Sequence, residues 1–189
     1  MTRPALAAPQ RSRPVAAAAV ALAAALLAAP TAAGARATAA WRAAPVPLDP
    51  MVVVRQRGEV DCGPALVATL AAWAGRPVPL DEVTARAALG PGGVSLAEFA
   101  RLADLHGVGG AWYSVPRERL GALRTPFVAH LERGGRGHFV VVVALGGRHA
   151  VVADPAAGGV AAPAAELLRH YSGRVFLLDE ALVPRWEGV

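Results

Sequence analysis

The sequence predicts an α+β domain in which N-terminal helices pack on a C-terminal antiparallel sheet. Three observations carry that prediction. Apolar residues recur at helical spacing after residue 64, as in Leu66, Leu70 and Trp73. Short apolar runs replace that period from Phe127 onward. Gly146-Gly147 separates two of these runs in the manner of a hairpin turn. Helices first and strands later is the order of an α+β domain rather than of a parallel sheet with crossover helices. The chain has 189 residues and is 54% hydrophobic, which bounds it to one domain with a sizeable core.

Taken in order, residues 1–37 begin with arginines, continue with an unbroken apolar run from Val15 to Ala29, and end in small residues around Ala33-Gly34-Ala35. This is the order of a secretory signal peptide, and cleavage is expected near Ala35 or Ala37. The run is shorter than the roughly 20 residues a spanning helix needs; retention as an uncleaved membrane anchor is the alternative. Residues 38–50 are rich in Ala and Pro and read as a linker, 51–180 as the domain, and 181–189 as a tail. Val52-Val53-Val54 reads as a short strand. A helix is expected over 65–74, with Pro64 at its first position, where a missing N–H has no consequence. Asp81 can cap a short helix through Leu89. Ser95 and Glu98 have capping-box spacing and open a helix to His106, which Gly107 closes. A short helix is expected over 116–123 and another over 163–171. Strands are expected over 127–131, 139–145, 150–153 and 174–178; Phe139 to Leu145 is apolar on both faces, which suits a central strand.

Charge narrows the function classes. The net charge of +5 comes largely from Arg3, Arg11, Arg13 and Arg36, in a segment without acids. The remaining chain carries 15 arginines against 14 acids with no basic cluster, so nucleic-acid binding is not expected. The chain contains no lysine, which excludes a phosphate-binding loop ending in Gly-Lys-Ser/Thr and with it nucleotide hydrolysis by that route. One cysteine and scattered histidines offer no metal-ligand spacing, and no cofactor is expected.

The only cysteine, Cys62, falls at or just before a helix N-terminus, where the dipole and free N–H groups favour negative charge on sulfur. That placement suits a nucleophile. Gln56, six residues upstream, can supply a side-chain donor which, with the Cys62 N–H, makes a two-donor oxyanion hole. A nucleophile of this kind needs a base and an orienting group. Of the five histidines, His138 opens the central strand, and Asp154 closes the next one. A hairpin between those strands brings the two side chains to one end of the sheet. A two-residue Gly146-Gly147 turn would put them on opposite faces, because side chains alternate. A working pair therefore requires a three-residue loop or a bulge. The expected register sets His138 directly opposite Asp154, with the ring between the Cys62 sulfur and the Asp154 carboxylate.

Gln56, Asp61-Cys62-Gly63-Pro64-Ala65, Pro126, His130, His138-Phe139-Val140-Val141, Asp154-Pro155 and Tyr171-Ser172-Gly173 together resemble the double-glycine leader peptidases, papain-like cysteine peptidases that process bacteriocin precursors. The resemblance spans about residues 53–179. It implies a papain-like peptidase fold with Cys62 as nucleophile, His138 as base, Asp154 as orienter and Gln56 as oxyanion donor. It also implies a peptide or protein substrate, cleavage after Gly-Gly, and association with a membrane export system. The export signal sets this chain apart from relatives that form the cytosolic N-terminus of an exporter. The alternatives are a non-catalytic peptide-binding module and an acyl or peptidyl transferase of the same fold.

Overall fold

The computed structural model describes residues 41, 44–48 and 51–179. The segment expected as a signal peptide and the tail from 181 lie outside the described residues. The elements run β1 (Ala44–Pro45), α1 (Cys62–Trp73), α2 (Leu80–Ala85), α3 (Leu96–Leu105), β2 (Gly110–Ser114), a 3₁₀ turn (Arg117–Ala122), β3 (Phe127–Arg133), β4 (Arg136–Gly146), β5 (His149–Asp154), β6 (Gly158–Pro163), α4 (Ala164–His170) and β7 (Tyr171–Leu178). The strands form one antiparallel sheet in the order β1-β6-β5-β4-β3-β7-β2. This is the expected α+β architecture, and β4 is its central strand.

Two apolar layers sandwich the sheet. On one face, Leu66 and Leu70 of α1 and Phe99 and Leu102 of α3 pack against Val128, Phe139, Val141 and Phe176. Phe99 stacks on Phe139 with ring centroids 5.0 Å apart and meets Trp112 and Phe176 edge-on at 5.4 Å. Such pairs add about 0.5–1.5 kcal/mol each beyond their area. On the other face, Leu167 of α4, Leu120 and Trp41 cover Leu131, Val140, Val142 and Val152.

Four expectations need correction. Helix α2 begins at Leu80 after Pro79 and ends at Ala85, so Asp81 lies in its first turn rather than capping it, and the helix stops short of Leu89. Val52-Val53-Val54 forms no strand. Its polar groups go elsewhere: the Val54 N–H donates to Thr69 Oγ1 (2.9 Å), and the Val52 carbonyl accepts from the Trp73 indole (2.8 Å). The stretch expected as a linker, 38–50, contributes to the domain in its described part. Trp41 is buried, Ala44 and Pro45 pair with Ala161 and Val160, and the Val46 N–H donates to Gly159 O (2.9 Å). Helix α1 starts at Cys62, so Pro64 is its third residue rather than its first; the missing N–H still falls in the first turn, where no intrahelical acceptor exists. Strands β2 and β6 were not expected: Gly110 in the one and Gly158-Gly159 in the other mask the β pattern.

Candidate active site

The helix carrying Cys62 begins in an unusual way. Asp61 occupies the cap position, yet its side chain caps nothing. Its carboxylate turns back and accepts the N–H groups of Arg57 and Gly58, both at 2.9 Å. This ties down the loop between Gln56 and Cys62, and no cap side chain occupies the first N–H groups of α1. The Cys62 N–H is among them, at the end of the helix where backbone donors have no intrahelical acceptor. Gly63 is required at the next position, because a Cβ there would lie 2.3 Å from Val94 Cγ2. Cys62 itself is 3% exposed and packs into the α1 core layer, deeper than a helix-start position suggests.

His138 and Asp154 meet at one end of the sheet. The turn between their strands is Gly147-Arg148, since Gly146 pairs with His149, Leu145 with Ala150 and Ala144 with Val151. A bulge then shifts the register, so that Val142 pairs with Val152 and Val141 with Ala153. One step further this register sets Val140, not His138, across from Asp154. The expected directly opposed pair is thus replaced by a diagonal one on the same face. The bulge supplies the change of parity that puts the two side chains on one face. His138 Nε2 and Asp154 Oδ1 are 2.8 Å apart, with the histidine 1% exposed and the carboxylate fully buried.

With Nε2 engaged by Asp154, Nδ1 is the nitrogen left for Cys62; no other hydrogen bond occupies it. Burial alone would push the His138 imidazole down. The hydrogen bond and charge of Asp154 and the proximity of Cys62 outweigh it and lift His138 to about 9. Burial would likewise raise Asp154, but the hydrogen bonds from His138, Trp41 and the Ala156 N–H hold its carboxyl below the ordinary value. Both shifts describe an imidazolium facing a carboxylate.

Gln56 is pinned beside this pair, its N–H donating to Pro155 O at 3.0 Å. One N–H of its side-chain amide donates to Gly58 O (2.6 Å), while Oε1 is buried without a partner. The amide therefore has one further N–H to offer. Of the remaining histidines, His130 bonds Ser172 Oγ through Nδ1 (2.8 Å) and packs on Phe139. Burial pushes it down. It supports the sheet beside the site. Sequence reasoning missed two contributors. Asp61 was legible only as part of a motif, and Trp41, whose Nε1–H donates to Asp154 Oδ2 (2.7 Å), lay in the supposed linker. Among the described residues, no group of three or more His, Cys, Asp or Glu side chains could hold a metal ion.

Comparison with known proteins decides what this arrangement belongs to. Residues 51–182 match the family model described as the peptidase C39 family. The chain belongs to the peptidase C39 family. It is a cysteine peptidase. An uncharacterized protein of Methanothermobacter marburgensis is 26% identical over 128 residues, covering 68% of this chain and 88% of that protein. Among solved structures, a double glycine motif protease from an AMS/PCAT transporter, crystallised with its leader peptide, is 28% identical. It superposes with a TM-score of 0.61 over 67% of this chain and 90% of that one. The peptidase domain of Streptococcus ComA, a bifunctional ABC transporter, gives the same TM-score at 19% identity over 68% and 97% of the two chains, a likeness of fold. The C39 fold is thus shared by helices and sheet alike, and peptides are the substrate class that fits this peptidase.

Proposed function

We propose that this C39 peptidase cleaves a peptide bond through a Cys62-His138-Asp154 triad, with Gln56 and the Cys62 N–H as oxyanion donors. The single observation that carries the reading is the buried His138–Asp154 hydrogen bond beside the only cysteine. His138 holds the proton of Cys62, and the thiolate attacks the scissile carbonyl. Negative charge then develops on the carbonyl oxygen, opposite the first N–H of α1 and the remaining Gln56 N–H. Collapse of this intermediate breaks the C–N bond as His138 gives its proton to the leaving amine, and a thioester remains on Cys62. Water, deprotonated by His138, attacks the thioester; its collapse returns the thiol and releases the new carboxylate.

The solved relative bound to a leader peptide supports a substrate with Gly-Gly before the scissile bond. Synthetic peptides carrying Gly-Gly are expected to be cut after the second glycine, and replacing either glycine by a larger residue is expected to stop cleavage. Mass spectrometry of the products decides this; cleavage indifferent to both glycines would remove the specificity while leaving the peptidase. Gln56→Ala is expected to lower kcat by about 10²–10³, as for loss of one oxyanion donor, with less effect on KM. An unchanged kcat would leave the Cys62 N–H as the donor that matters.

We also infer export, to the periplasm or outside the cell, from the order of charge, apolar run and small residues in 1–37. A membrane export system is then the partner to seek. N-terminal sequencing of the mature protein reads this directly: a chain retaining Arg3 in the cytosol contradicts it.

A further inference from the structure

We propose that Trp41 is a positioning residue of the catalytic centre, and that the chain upstream of the family-matched domain completes the site by holding the outer oxygen of Asp154. The proposal rests on the triad reading above. The family match begins at residue 51, so Trp41 lies outside it. Asp154 accepts three hydrogen bonds. Oδ1 takes His138 Nε2 (2.8 Å) and the Ala156 N–H (2.7 Å), and Oδ2 takes the Trp41 indole N–H (2.7 Å). The carboxylate is fully buried, so without the indole N–H Oδ2 would lose the donor that fixes it, and the group could turn about the two contacts on Oδ1.

The indole is itself held. The guanidinium carbon of Arg133 sits 4.0 Å from the centre of its ring. Residues just downstream are fixed to the sheet through β1 and the Val46–Gly159 hydrogen bond. Gly159 has a specific part in this approach: a Cβ there would lie 2.3 Å from Val46 O and 2.7 Å from Leu48 Cγ. A glycine in β6 thereby lets an upstream segment lie close, and that segment carries the donor to the active-site carboxylate.

The charged groups around Asp154 are His138 on β4 and Arg133 at the end of β3, with Glu166 of α4 acting on Arg133. Arg55 bonds the carbonyls of Pro155 and Ala156. The Trp41 hydrogen bond is one of the contacts that hold the Asp154 carboxyl low. Its removal therefore lets Asp154 take a proton at higher pH.

The test is Trp41→Phe in the full chain, which keeps an aromatic ring over Arg133 and deletes the N–H. The expected result is a fall in kcat of about ten- to a hundred-fold, the scale seen when an outer hydrogen-bond partner of a metal-binding site is removed. KM should stay within about two-fold, and the acid side of the kcat profile should move to higher pH. Packing alone would not move that profile. Gly159→Ala, which leaves every triad side chain in place, should lower kcat in the same way by displacing residues 46–48, and serves if Trp41→Phe does not fold. Unchanged kcat and pH profile in the folded variants overturn the proposal. Cys62→Ala separates the two ideas. If it is inactive while Trp41→Phe behaves as wild type, only the positioning role fails. If it stays active, the triad itself fails and the positioning role falls with it.

Discussion

Cys62→Ala is expected to abolish peptide hydrolysis, by on the order of 10⁶ in kcat as when the nucleophile of a hydrolase is removed, while the domain stays folded. In the proposed mechanism every chemical step passes through the sulfur, and no second cysteine can replace it. The structural cost is small but not zero. Cys62 is buried among α1 core residues, so losing the sulfur leaves a small void, at about 1–2 kcal/mol. The remaining eleven residues of α1 keep their packing against α3 and the sheet. Product formation from a peptide substrate and a thermal melt, measured side by side, separate chemistry from folding. Residual hydrolysis at the wild-type rate in a folded variant would remove Cys62 from the mechanism.

Asp154→Asn is expected to lower kcat by about 10²–10⁴ and to displace the alkaline limb of the pH profile downward, from about 9 toward the ordinary histidine value near 6.5. Asparagine keeps the shape but removes the charge that lifts His138. It also brings an NH₂ group to a site built from donors: the indole of Trp41, the Ala156 N–H and the His138 ring. One of these then faces a donor instead of an acceptor, and breaking a buried ion pair in this way costs about 3–5 kcal/mol. The pair also shapes stability against pH. The His138 value is raised, so its contribution is full below the ordinary histidine pKa and is lost as pH rises through about 9. The Asp154 value is lowered, so its contribution is present above the ordinary carboxylate pKa and is lost as pH falls through the folded value. Melting temperature against pH should show both losses in the wild type and neither in Asp154→Asn. An Asp154→Asn profile superimposable on wild type would disconnect the carboxylate from His138.

Local signals were legible where one short stretch specifies its own structure. Ser95 caps α3 by accepting the Glu98 N–H at 3.1 Å, as its spacing indicates. Glu98 does not close the box; its carboxylate bonds Ala88 N–H and Arg101 instead. The double-sided apolar run of β4 marked the sheet centre. Cys62, followed by Gly63-Pro64, marked a helix start, because backbone preferences there are set within a few residues.

The α+β class, the central strand and the candidates Gln56, Cys62, His138 and Asp154 are legible in the sequence, whereas β1, β2 and β6 are not. Each legible feature depends on periodicity, on turn residues or on a residue type that is rare in this chain. The rest was decided only by tertiary structure. Nothing local announces the bulge between Val142 and Ala144, which brings His138 and Asp154 to one face, since register is settled by packing on both sheet faces at once. Nothing local links Trp41 to an aspartate 113 residues away. A buried carboxylate takes whatever donor the fold brings to it, and that choice is made by the docking of β1 on β6 rather than by the residues around Trp41.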